Sequence, residues 1–169
     1  LIAGVSYYKA AVPPEIQIES ASIDVHTANF LQTLYENGLG EFAYRNGLNL
    51  RGKIKFPHSA ELQAGVGSAN LKQHALVAIG GGKDSLVSIE ALRAAGINQT
   101  ITWIGSSPLI KACAERTGLP LLNIERKLPA ALFEMNKQGA LNGHIPVTAV
   151  NSAILVMAAI LNQCNQVVF

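Results

Sequence analysis

The stretch richest in chemistry is Ala78-Ile-Gly-Gly-Gly-Lys-Asp-Ser85. Three consecutive glycines (Gly80, Gly81, Gly82) strip every Cβ from a turn. Backbone amides can then converge on an anion and hand it to the first turn of a following helix. Lys83 adds a mobile positive charge and Ser85 a hydroxyl donor. Asp84 is the discordant member. A carboxylate beside a phosphate repels it unless it caps the helix or holds a cation, and Mg²⁺ resolves the conflict because it takes carboxylate and phosphate oxygens together. A second stretch is Asn142-Gly-His-Ile-Pro-Val-Thr-Ala-Val-Asn151. Gly143 and Pro146 shape a loop that carries His144 to a helix entrance, where an imidazole can contact an anion or move a proton. A structural histidine is the competing reading. Thr148 is placed to satisfy amides at the start of the next helix, and with His144 and Asn151 it is a candidate substrate contact. Asn151, inside an apolar helix, needs a hydrogen-bond partner, either a ligand or a backbone carbonyl.

The elements that must position these groups alternate strand and helix. Residues 75–79 form a short apolar run, as expected of a strand buried on both faces. A helix is predicted over 84–95, a β-branched strand over 100–104, and a helix over 108–117 with Pro108 in its first turn. A third strand is predicted over 119–124. Leu128, Leu132 and Met135 mark a third helix. Residues 147–162 form a fourth, apolar nearly all round and so predicted to be buried, and 166–169 open a fourth strand. This alternation with short links predicts an α/β fold with a parallel sheet wrapped by helices. The glycine turn then falls at the C-terminal edge of the sheet, where open α/β folds place ligands.

Residues 1–70 read differently, as part of a smaller α+β region, with the α/β domain running over 71–169. Extended segments are predicted over 2–11 and 15–23, split by Val12-Pro13-Pro14. A helix is predicted over 27–39, ended by Gly38 and Gly40, and a short strand over 53–56. Residues 59–70 are rich in Gly, Ala and Ser and read as a linker or lid.

Composition narrows the class. The 169 residues are 49% hydrophobic and only 14% charged, which suits a sizeable core and excludes a disordered chain. A net charge of +2 without a Lys/Arg run leaves no footprint for nucleic acid. The longest apolar stretch is too short for a bilayer span and is interrupted by Asn151 and Ser152. Cys113 and Cys164 lie far apart without metal spacing, a pattern suited to a reducing cytoplasm, with Cys113 read as a buried core thiol. Both ends look cut, which predicts a piece of a longer protein. Oligomeric state is not readable.

Three families of glycine loop can be told apart. A Walker A loop needs glycine where Val77 stands, and the nicotinamide fingerprint needs one where Ser85 stands. The run Gly80-Gly-Gly-Lys-Asp-Ser85 instead resembles the PP-loop of ATP pyrophosphatases, Ser-Gly-Gly-x-Asp-Ser after the first strand. It departs only at the first position, where Gly80 replaces serine; one hydroxyl contact is lost and the backbone cradle kept. The resemblance implies ATP as co-substrate. Gly81, Gly82, Lys83, Asp84 and Ser85 would meet its outer phosphates, with Asp84 helping to place Mg²⁺. It also implies adenine against the end of the second strand, near Trp103, Ile104 and Gly105, with a core role for Trp103 standing equally.

Together, the glycine loop, the segment 142–152 and Ser6-Tyr-Tyr-Lys-Ala-Ala-Val-Pro-Pro-Glu15 resemble the UDP-N-acetylmuramoyl-L-alanyl-L-glutamate epimerase family of bacterial peptidoglycan precursor synthesis. The resemblance spans nearly the whole chain. It implies an isomerase that inverts the terminal L-Glu of a UDP-sugar dipeptide through an acyl-adenylate, and it names His144, Lys83 and Lys9 as candidate catalytic groups. Lys9 also reads as a plain surface lysine. Another adenylating synthetase, or a nucleotide-binding module with catalysis elsewhere, are the alternatives.

Overall fold

The computed structural model of the chain describes residues 1–19, 21–62, 65 and 67–169. After a 3-10 turn at Ile2–Gly4, the elements run α1 (Val5–Ala11), α2 (Val25–Gly38), α3 (Gly40–Arg45), β1 (Lys72–Ala78), α4 (Lys83–Ala94) and β2 (Gln99–Ile104). They continue with α5 (Pro108–Glu115), β3 (Leu121–Ile124), α6 (Ala130–Lys137), α7 (Val147–Leu161) and β4 (Cys164–Val168). The chain divides into two compact units: Leu1–Gly67 with Leu128–Val150, and Ser68–Lys127 with Asn151–Phe169. The segment Leu128–Val150 thus groups with the first unit. No helix among the described residues is long and apolar enough to cross a membrane.

The first unit is helical where extended chain was expected. Residues 2–11 form the 3-10 turn and α1, because Val5, Ser6, Tyr8 and Ala10 bury one helical face and that burial outweighs the strand preference of the valine and tyrosines. Helix α1 stops where Pro13 denies Val12 the right-handed conformation; Val12 takes φ 44° instead. The described residues of 15–23 contain no strand, and Ser20 lies outside them. Residues 53–56 are not a strand either: Ile54 and Phe56 are buried one by one from irregular backbone. The helix expected over 27–39 starts earlier, because Asp24 caps it, accepting from the amides of His26 and Thr27 at 2.8 and 3.0 Å. Gly40 does not end structure but opens α3, whose Phe42 and Ala43 are buried. Tyr35 packs edge-on against both Tyr8 (5.6 Å) and Phe56 (5.0 Å), and its hydroxyl donates to the Leu1 carbonyl at 2.7 Å. Burial pushes the ionisation of Tyr35 well above the ordinary tyrosine range.

The second unit is a four-stranded parallel sheet in the order β3-β2-β1-β4. Alternation along the strands separates its faces. Ala75, Val77, Ile101 and Trp103 pack with Ile89 of α4 and Ala114 of α5, and the half-buried Cys113 joins this cluster from its edge. Leu76 and Cys164 pack with Leu155 and Ala159 of α7 on the other face. Helix α7 is therefore buried on one side only, against expectation: Met157 and Leu161 on its other side are 59% and 75% exposed. The apolar surface runs all round the helix, but the sheet covers only the strip facing it. Within the stretch expected as a linker, residues 63, 64 and 66 lie outside the described residues.

The strand order fixes where a ligand can enter. From β1 the chain steps through α4 to β2 and through α5 to β3, whereas β4 lies on the opposite side of β1. The sequence order reverses between β1 and β4, and a crevice at the carboxyl ends of such a pair is the usual ligand position in open α/β sheets.

Candidate functional site

The glycine turn leaves β1 at this reversal. Ile79 is buried and its amide donates to the Thr102 carbonyl at 2.8 Å, which fixes the take-off of the turn. Gly82 is the N-cap of α4, and no side chain caps the helix. The first-turn amides are therefore not answered by a capping side chain. Gly81 sits at φ +82°, a conformation that favours glycine, and a Cβ there would meet only Ile110 at an ordinary 3.5 Å. Gly80 and Gly82 differ from it. Neither has positive φ, and an added Cβ at either would meet nothing within 4 Å. The internal packing does not require glycine at these two positions; the missing methyls leave open space beside the backbone.

Lys83 and Asp84 are exposed on the first turn of α4. The Ser85 hydroxyl donates to the Gly82 carbonyl at 3.0 Å and so closes the turn on itself. At the end of β2, Trp103 is buried among Ile79, Ile101 and Ala114, so its indole is a core group. Ile104 is half-buried against the α7 face. Gly105 donates to Ile124 O at 2.9 Å, and its carbonyl accepts from Asn123 Nδ2 at 2.8 Å. Asn123 is a residue the sequence reasoning missed. A lone amide in Leu-Leu-Asn-Ile was the available signal, and its role is to tie the end of β3 to the end of β2.

The first unit builds the second loop. Lys9 Nζ, projecting from α1, donates to Asn142 Oδ1 at 3.2 Å and to Leu141 O at 3.3 Å. Asn46 Nδ2, at the end of α3, donates to Asn142 O at 3.1 Å. Gly143 lies so close to Phe42 that a Cβ would come within 2.9 Å of its ring, and Gly38 stands in the same relation to Pro146 at 2.6 Å. The loop is thus pinned at residues 141–143 and again at 146, while His144 between the pins is exposed. Sequence reasoning had no access to Asn46, Phe42 or Gly38 as partners, because nothing in their spacing connects them to residue 142. Thr148 is exposed on the first turn of α7, and Asn151 is half-buried one turn on.

The whole of this chain, residues 1–169, matches the MurL N-terminal domain. It belongs to that family. The chain is 69% identical over 169 residues to the UDP-N-acetyl-alpha-D-muramoyl-L-alanyl-L-glutamate epimerase of Xanthomonas oryzae pv. oryzae (strain MAFF 311018), covering 100% of the chain and 38% of that relative. Against the protein of the same name from Salinispora tropica it is 42% identical over 170 residues, covering 99% of the chain and 37% of the relative. Against that of Micromonospora sp. (strain ATCC 39149) it is 41% identical over 177 residues, with 99% and 38% covered. The chain thus spans well under half the length of these relatives. No solved structure matches it.

Within this MurL N-terminal domain the residues present fit a nucleotide phosphate. Open, Cβ-free backbone leads into a helix without a capping side chain, beside an exposed lysine. For Mg²⁺ the donor set is a single exposed carboxylate, Asp84. No group of three His, Cys, Asp or Glu is gathered among the described residues. That suits an ion which takes one carboxylate together with substrate phosphate oxygens, and does not suit an all-protein metal cage. Lys9, His144 and Thr148 belong to the first unit, and Gly80 to Ser85, Trp103 to Gly105 and Asn151 to the second.

Proposed function

We propose that this chain is the nucleotide-binding part of an ATP- and Mg²⁺-dependent epimerase. The enzyme would invert the terminal L-Glu of UDP-MurNAc-L-Ala-L-Glu to D-Glu in peptidoglycan precursor synthesis. The observation that carries the reading is the Gly80-Gly81-Gly82 turn between β1 and α4, open to the outside and placed at the reversal of strand order. The names of three relatives supply the substrate and the reaction. The PP-loop pattern of residues 80–85 supplies the nucleotide.

The chemistry explains why an epimerase would need a nucleotide. Inversion requires loss of the α-proton, and beside a free carboxylate that proton is very weakly acidic because the carbanion would sit next to negative charge. When bound, ATP supplies an AMP group to the α-carboxylate with loss of pyrophosphate, which would remove the charge and open an enolate sink, and water would then cleave the acyl-adenylate to AMP and the free carboxylate. In this reading the amides of residues 81–83 and the Lys83 ammonium bind and orient the outer phosphates. Asp84 holds the cation against them. His144, exposed on a pinned loop, takes or returns a proton or binds a carboxylate, and Lys9 holds that loop in place. Because the chain is well under half the length of its relatives, a second reading has the nucleotide bound here and both proton-transfer groups elsewhere in the full protein.

The test uses full-length protein with the L-Glu substrate, ATP and Mg²⁺. Chiral analysis of the glutamyl residue, freed from the dipeptide product by acid hydrolysis, with AMP and pyrophosphate counted alongside, is expected to show D-Glu accompanied by both products. AMP without inversion would move the assignment to an adenylating synthetase, and ADP with phosphate would remove the PP-loop assignment.

A further inference from the structure

The first unit carries a depression that neither loop uses. The C-terminal end of α2, helix α3 and the turn at residues 48–51 surround a space of about 510 Å³, within the range of small-molecule sites. Its walls include Tyr44, Asn37, Asn49, Glu36 and Arg51. Tyr44 is 88% exposed, so its ring offers an uncovered flat face. Asn49 Oδ1 accepts from the Arg51 amide at 3.1 Å, which leaves its Nδ2 as a donor. Glu36 Oε1 accepts from the Gly52 amide at 2.8 Å, which fixes the carboxylate in the wall and leaves its second oxygen as an acceptor.

The wall itself carries one cation, Arg51, and one carboxylate, Glu36. Arg45 of α3 is held by Glu41 at 3.2 Å. Arg51, Lys53 and Lys55 are exposed and form no ion pair among the described residues, since the intervening Ile54 and Phe56 take the buried positions. A cation in the wall with two more following it on the same short segment, beside an aromatic face and side-chain amides, matches a nucleotide with its diphosphate better than a sugar or an apolar ligand.

We infer that this depression is the subsite for the uridine diphosphate end of the substrate, an inference that rests on the epimerase reading for the identity of the nucleotide. The pyrimidine stacks on Tyr44. Its imide edge presents acceptor, donor and acceptor in turn, which Asn49 Nδ2, the Glu36 carboxylate and the Asn37 amide complement. The diphosphate lies toward Arg51, within the field of Lys53 and Lys55.

Full-length protein is titrated calorimetrically with UDP and with ADP, and the KM for the UDP-sugar dipeptide is measured, in wild type, Tyr44→Ala and Arg51→Ala. Both side chains are exposed, so the thermal midpoint is expected to stay. UDP is expected to bind, and each substitution to weaken UDP binding and raise KM by about tenfold, the loss falling on KM rather than kcat. ADP binding is expected to be unchanged. UDP binding that is absent, or indifferent to both substitutions, overturns the subsite. Epimerisation that proceeds with unchanged KM in both variants overturns the subsite while the epimerase reading survives. UDP binding that depends on both residues in a protein that never epimerises upholds the subsite and overturns the epimerase reading.

Discussion

Lys9 Nζ lies 3.2 Å from Asn142 Oδ1, across 133 positions of sequence, and 3.3 Å from the Leu141 carbonyl. The ammonium therefore spends its donors holding the loop that carries His144. Lys9→Met keeps the aliphatic stem and removes the tether, a loss of about 1 kcal/mol for a partly exposed charged hydrogen bond. The expected outcome in full-length enzyme is a lower kcat with a thermal midpoint only slightly reduced, and partial recovery in Lys9→Arg. An unchanged kcat in Lys9→Met would show that the tether has no catalytic consequence.

Gly143 and Gly38 are fixed by packing. Alanine at 143 would drive a methyl to 2.9 Å from the Phe42 ring and 3.2 Å from its Cα, and at 38 to 2.6 Å from Pro146 Cγ. Backbone and proline ring cannot swing aside as a flexible side chain can. Each substitution is expected to destabilise by about 1–3 kcal/mol, read as a shift in the denaturation midpoint.

Glycines of the β1–α4 turn should respond in the opposite manner. Gly82→Ala meets nothing within 4 Å and requires no unusual backbone angle, so the denaturation midpoint should hold. ATP affinity should fall by about tenfold, the equivalent of one charge-assisted hydrogen bond. Gly81→Ala adds the strain of φ +82°, about 1–2 kcal/mol, and should lose stability as well as affinity. Loss of stability without loss of nucleotide binding in Gly82→Ala would reverse the assignment of this turn.

Asp24 links pH to the stability of the first unit. Hydrogen bonds from the Thr27 hydroxyl, then from the amides of Thr27 and His26, hold its carboxyl below the usual carboxylate range. A carboxyl with a lowered value in the folded state contributes stability above its unfolded value and loses it as pH falls through the folded one. The melting-temperature gap between wild type and Asp24→Ala should be open at neutral pH and close in acid, while Asp24→Asn retains most of the cap.

The second unit was legible because its central strands, β1 and β2, bury consecutive residues and so both faces. Runs such as Ala75-Leu-Val leave no competing period, and Gly or Pro marks the ends of neighbouring elements, so β1, β2, α4 and α5 lie within a few residues of their predicted bounds. Residues 2–11 misled because Val, Tyr and Tyr favour strands locally, while the burial of Val5 and Tyr8 that decides for helix depends on partners such as Tyr35, far along the chain. The same limit explains the Asn142 loop. Its glycine and proline announced a turn, but the groups that pin it, Lys9, Asn46, Phe42 and Gly38, come from three other segments. Exposure of one side of α7 was hidden because hydropathy reports what a face could bury and not what covers it.

Isotope exchange reports most directly on whether the glycine turn serves adenylation. Full-length protein with ATP, Mg²⁺ and the L-Glu substrate is supplied with radiolabelled pyrophosphate, and label is followed into ATP. The account predicts exchange that requires the substrate and is abolished by Lys83→Ala in a protein that remains folded. Epimerisation without any exchange, or exchange untouched by loss of Lys83, would contradict it.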